Sequence, residues 1–85
     1  MYLTLFAIKD KKMDVYSSFH TSRGIVDAIR GLTIAANRPD SQLNQFPEDY
    51  QLCQIAEIDD TTGLLVSNKP SVIAEVTQII KPKGA

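Results

Sequence analysis

Apolar residues in this chain fall into short blocks separated by polar stretches, and the blocks differ in period. Residues 2–8, YLTLFAI, are almost wholly apolar, partly β-branched or aromatic, and free of Gly and Pro. That pattern predicts a strand. Lys9, Asp10, Lys11 and Lys12 form a polar reversal, and residues 15–19 read as the returning strand. The first twenty residues therefore predict a hairpin with a basic tip.

Beyond the hairpin the period changes to that of a helix. Ile25, Ile29, Leu32 and Ala36 recur at spacings of four, three and four, which places them on one helical face, with Val26 widening it. Arg23, Asp27, Arg30 and Ile34 fall on the opposite face. Thr21 and Ser22 offer N-cap side chains, Asn37 a left-handed C-cap, and Pro39 forbids continuation. Gly24 and Gly31 each cost about 1 kcal/mol against Ala in a helix, so packing must hold it, and a glycine would permit close approach to the sheet.

Residues 39–49 read as a loop anchored by Phe46. Residues 50–58 give the strongest strand signal. Tyr50, Leu52, Ala56 and Ile58 are expected on one face, interrupted by Gln54, with Cys53 and Ile55 on the other. Apolar residues on both faces predict a central strand. Residues 59–63, DDTTG, have turn composition, and residues 64–66 return as a short strand. Residues 71–80 are ambiguous. Val72, Ile73, Val76, Ile79 and Ile80 fit one helical face, yet their β-branching favours a strand. With Pro70 near a first turn, the balance tips to helix. The expected architecture is α+β: a small, mostly antiparallel sheet, one well-defined helix packed on it, and a C-terminal helix or strand.

Length and charge narrow the function. At 85 residues the chain predicts a single domain, with residues 80–85 a frayed tail. So short a chain buries a modest share of its surface, which makes a homodimer or higher oligomer the default expectation. No apolar run approaches the ~20 residues of a membrane span. The apolar block at residues 2–8 precedes its lysines, the reverse of a signal peptide. Cys53 is the sole cysteine and lies in an apolar run, so it reads as a small core residue in a reducing, cytoplasmic setting. Residues 1–38 carry six basic and three acidic side chains, residues 39–85 three and seven. A net charge of −1 argues against a histone-like role.

No catalytic arrangement emerges around His20, the one histidine, and an enzyme is not expected. One His and one Cys some thirty positions apart make no zinc site, and no glycine-rich phosphate loop is present, so no metal or cofactor is predicted. The acidic cluster Asp59, Asp60, Thr61, Thr62 reads as a hairpin turn with Gly63 at positive φ rather than a calcium loop. The informative polar set is basic. Lys9, Lys11 and Lys12 crowd the hairpin tip, Arg23 and Arg30 sit on the exposed helix face, and Tyr2, Phe6, Tyr16 and Phe19 lie on the flanking strands. Cations on phosphates with aromatics under bases hold single-stranded nucleic acid. Lys9, Lys11, Lys12, Arg23, Arg30, Tyr2 and Tyr16 are thus the candidate contacts. The plain alternative is an Arg23–Asp27 ion pair, lysines solvating a turn, and aromatics in the core.

The block Phe46-Pro47-Glu48-Asp49-Tyr50-Gln51-Leu52, followed by Glu57-Ile58-Asp59-Asp60-Thr61-Thr62-Gly63, resembles the small nonstructural protein of gokushoviruses, which are single-stranded DNA phages of the microvirus group. The family pattern is a Pro-x-Asp-aromatic segment, a strand, and an aromatic-Asp-Asp-x-x-Gly turn. Here Ala56 stands at an expected glycine and Ile58 at an expected aromatic. The resemblance implies a non-catalytic, non-virion protein in the host cytoplasm. It would bind single-stranded DNA or regulate its synthesis or packaging. The alternative is a protein–protein adaptor or dimeric assembly factor that touches no nucleic acid.

Overall fold

The computed structural model describes residues 1–80, apart from the side chains of residues 67–69. The expected frayed tail lies almost wholly outside the described residues. Strands β1 (Tyr2–Asp10), β2 (Val15–Ser22), β3 (Tyr50–Asp59) and β4 (Leu65–Glu75) form one antiparallel sheet in the order β2-β1-β3-β4. Helix α1 (Ile25–Ala36), the short α2 (Gln42–Gln45) and two 3₁₀ turns, Pro47–Asp49 and Val76–Gln78, complete the chain. This is the α+β architecture that the hydrophobic pattern predicts.

The N-terminal hairpin forms as expected. Asp10 closes it, its Oδ1 accepting from the backbone N–H groups of Lys12 (2.9 Å) and Met13 (3.1 Å). Asp14 then takes a positive φ of 56°, a conformation Asp tolerates better than most residues.

The two strands beside β1 each carry a β-bulge. Ala7 of β1 faces two residues of β2, because Phe6 pairs with His20 and Ile8 with Ser17. On the other side Leu5 pairs with Ala56 and Phe6 with Gln54, which leaves Ile55 as the extra residue of β3. A bulge shifts the side-chain phase by one position. Simple alternation in β3 therefore fails at Ile55. Leu52 pairs with Ile8, whereas Cys53 pairs with Ala7 and Ala56 with Leu5. Ala56 and Ile58 lie with Cys53, not on the Leu52 face where a regular strand would put them.

One face of the sheet carries the packed core. Phe6, Ile8, Leu52, Ala74 and Val76 meet Ala28, Leu32 and Ala36 of α1. Phe6, Leu52 and Val76 are fully buried. Ile29, Leu43, Tyr50, Ile73, Ile79 and Ile80 pack around them. Several helix expectations need correction. The buried face is centred on Ala28, so Ile25 is exposed and Val26 is 68% exposed. The helix starts later than Thr21 and Ser22 imply. Both belong to β2, and Gly24 is an extended N-cap with no side-chain bond. Asn37 ends the helix at φ −90° rather than left-handed, its amide side chain bonding the Thr33 carbonyl (2.8 Å) and the Ile79 carbonyl (3.1 Å). A Cβ at Gly24 or Gly31 would meet nothing within 4 Å, so neither glycine serves close packing.

Phe46 is 53% exposed and anchors nothing. Leu43 of α2 does that work, with Ser41 capping α2 through Oγ to the Leu43 N–H (3.1 Å). The preference for helix at residues 71–80 is also overturned. β4 runs to Glu75, with Val72 pairing Cys53 and Ala74 pairing Leu52, and only Val76–Gln78 turns helically. β-branched residues find β3's free edge there, and cross-strand pairing outweighs the helical period.

Leu52→Ala should lower stability by about 3 kcal/mol, the cost of a cavity in a closed core, while Phe46→Ala should change it by less than about 0.5 kcal/mol. Urea unfolding of the two variants checks both values.

Candidate nucleic-acid interface

The predicted contacts divide into separate places on the molecule. Lys9, Lys11, Lys12 and Tyr16 gather where β1 turns into β2. Lys9 pairs with Tyr16 across the two strands, and its ammonium lies 5.2 Å from the centre of that ring. Such a cation over an aromatic face is favourable. Lys9 Nζ also reaches Asp14 at 3.1 Å. The Asp14 carboxylate, through its hydrogen bond and then its charge, holds the Lys9 ammonium above its ordinary pKa.

Lys11 reaches across the sheet end to β4. Its ammonium donates to Glu75 Oε1 at 2.9 Å, and Gln51 Nε2 donates to Glu75 Oε2 at 2.6 Å. These bonds, the one from Lys11 foremost, hold the Glu75 carboxyl below its ordinary pKa. Lys9, Tyr16, Gln51 and Glu75 form a polar row across the strands, since Lys9 pairs with Gln51 and Gln51 with Glu75. Lys12 is exposed and joins no ion pair among the described residues.

The remaining candidates lie elsewhere. Arg23 follows Ser22, which pairs with Thr4, six positions along β1 from the tip, or about 20 Å at strand rise. Arg30 is exposed on α1. Neither arginine forms an ion pair among the described residues, and the Arg23–Asp27 pair is not made. Tyr2 is 59% exposed but pairs with Asp59 at the far end of the sheet. Since β1 is regular, Tyr2 points to the Phe6 side and Tyr16, opposite Lys9, to the other side. The two tyrosines cannot form one stacking platform. Phe6 is in the core, stacked on His20 with ring centres 6.1 Å apart.

Other sequence features take structural roles. The His20 ring sits 2.8 Å from the Ser18 carbonyl oxygen through Nδ1. Asp59 accepts from the Thr61 N–H (2.9 Å), which lowers its carboxyl pKa, and Gly63 adopts φ 76°, as expected of a hairpin turn. Cys53 is 1% exposed, and burial pushes its thiol pKa up, so it is not a reactive thiolate.

Sequence reasoning missed a groove of about 420 Å³ between β2 and α1, lined by Ser18, His20, Ser22, Asp27, Gly31 and Leu32 among others. It also missed the outer face of the sheet. Leu3, Leu5 and Ala7 alternate onto it, and their partners Ile58, Ala56 and Cys53 follow. The Ile55 bulge hid that alignment. No helix among the described residues is long and apolar enough to cross a membrane.

The molecule is thus a four-stranded antiparallel sheet with one helical layer and a basic hairpin end. The chain matches the family model described as phage ORF5 protein over residues 3–79, and it belongs to that family. No curated protein and no solved structure shows a significant match.

The Glu75 contacts predict a pH effect. Because its folded pKa is lowered, Glu75 stabilises the fold above its ordinary value of 4.5, and that contribution is lost as pH falls through the lower folded value. The pair is about one-third exposed, so Glu75→Gln should cost no more than ~1 kcal/mol at pH 7. The gap between wild type and variant should close in acid, as measured by thermal unfolding from neutral pH down to strongly acidic buffer.

Proposed function

We propose that this phage protein is a non-catalytic nonstructural protein that binds single-stranded DNA in the host cytoplasm and regulates its synthesis or packaging. The observation that carries this reading is the cluster of Lys9, Lys11, Lys12 and Tyr16 at one end of the sheet. Cations for phosphates and an aromatic face for a base stand side by side there. The likeness of residues 46–63 to the gokushovirus nonstructural protein supports the same reading. Lys12 is the leading phosphate contact. Lys9 and Lys11 must exchange Asp14 and Glu75 for phosphate, so affinity should be modest and strongly salt-dependent. Arg23 and Arg30 would contact only a strand long enough to leave the hairpin end.

A second reading is a protein–protein adaptor or dimeric assembly factor. The apolar outer face of the sheet favours it.

Fluorescence anisotropy with a labelled single strand of about 20 nucleotides tests the first reading. Replacing Lys9, Lys11 and Lys12 together by Gln should flatten the slope of log K against log salt by about 2, close to 0.7 for each phosphate no longer neutralised. Arg23→Gln should flatten it by less than half as much. Absence of binding at low salt would refute the reading.

A further inference from the structure

We propose that the outer face of the sheet, opposite α1, is a docking surface for a second copy of this chain. An antiparallel sheet with one face in water normally alternates apolar and polar residues along each strand. This one does not. On β1 the outward positions before Lys9 are Leu3, Leu5 and Ala7, and on β3 they include Cys53, Ala56 and Ile58. The bulge at Ile55 is what brings Ala56 and Ile58 into this set.

The face has relief. Ala7, Cys53 and Ala56 are at most 2% exposed yet lie outside the core cluster under α1, so they form a floor closed by their own neighbours. Around that floor stand large exposed residues. Leu65 is 57% exposed and pairs with Ile58, and Val72 is 53% exposed and pairs with Cys53. Phe19, 58% exposed, lies in the β2 bulge opposite Ala7 and alternates with His20, which stacks on Phe6 on the other side. The helical layer lies on the other side, where α1, Leu43, Tyr50 and Val76 all join the core cluster. A contiguous apolar patch of this kind marks an interaction site.

Charge and area select the occupant. Among the described residues, the register places only two charged side chains on this face, Lys9 and Glu75, and each already has a partner, Asp14 and Lys11. Both stand at the hairpin end, so the apolar remainder of the face offers nucleic acid no cation. An identical face would meet no uncompensated like charge, as a two-fold contact requires. Nine positions of β1 at about 3.3 Å, by four strands at about 4.8 Å, give a face of roughly 570 Å². Two such faces bury about 1,100 Å², near the lower bound of specific interfaces.

Sedimentation equilibrium tests the proposal without nucleic acid present, so failure of DNA binding does not bear on it. From about 5 to 500 μM, a range suited to an interface this small, the wild-type chain should pass from monomer to dimer. Val72→Glu should weaken the dimer at least tenfold, and Val26→Glu, the same change at an exposed position on α1, should leave it unaltered. Far-UV circular dichroism checks that each variant folds. Should Val72→Glu unfold, dilution of the wild type followed by amide chemical shifts decides, with changes expected at Leu3, Leu5 and Val72. A wild-type chain still monomeric at the highest concentration would overturn the proposal. So would equal effects of the two substitutions, or shifts confined to α1 or the β2 edge.

Discussion

The structure depends on the regularity of β1. It is the one strand that pairs on both sides without a bulge of its own, because the extra residues fall in β2 and β3. Its strict two-residue period therefore sets which side every neighbour presents. Phe6 and Ile8 point to the helical layer and draw Leu52 and Ala74 with them. Leu3, Leu5 and Ala7 point away and draw Ile58, Ala56 and Cys53. Shifting β1 by one residue would exchange the two sets and put Lys9 in the core.

The buried residues of α1 are mostly small, Ala28 and Ala36 beside Leu32, so the large groups of the core, Phe6, Ile8, Leu52 and Val76, come from outside the helix. Such a layer leaves little spare stability in so short a chain. The polar row at the hairpin end closes one border of the sheet by hydrogen bonds rather than packing. Lys11, Gln51 and Glu75 are partly exposed, and exposed pairs contribute little each. Their value is positional, because they tie the two outer halves of the sheet together where the basic side chains also stand.

Much of the fold was legible in the sequence where period and composition agreed. The hairpin, the helix between Ile25 and Ala36, the central strand and the Asp59–Gly63 turn all carried local signals strong enough to survive tertiary packing. What could not be read was phase. The Ile55 bulge has no Gly or Pro to announce it, so alternation assigned Ala56 and Ile58 to the wrong side. Helix at residues 71–80 and an anchoring Phe46 failed for a related reason. Both depended on what lay opposite, a free β3 edge in one case and Leu43 in the other. Of the candidate contacts, the lysines and Tyr16 share one end of the sheet because they are close in sequence. Tyr2 and Arg23 stand apart because strand length separates them from the tip.

The sheet order also has a consequence for synthesis. β1 is made first, yet one of its edges is filled only by β3, with Tyr2 waiting for Asp59. At a ribosomal rate of about 5–20 residues per second, the finished hairpin stands for a few seconds with an open inner edge and apolar residues on both sides. Nascent chains made close together on one message would hold such edges side by side. Conditions that slow elongation should therefore raise the yield of aggregate more than the final stability of the protein would suggest.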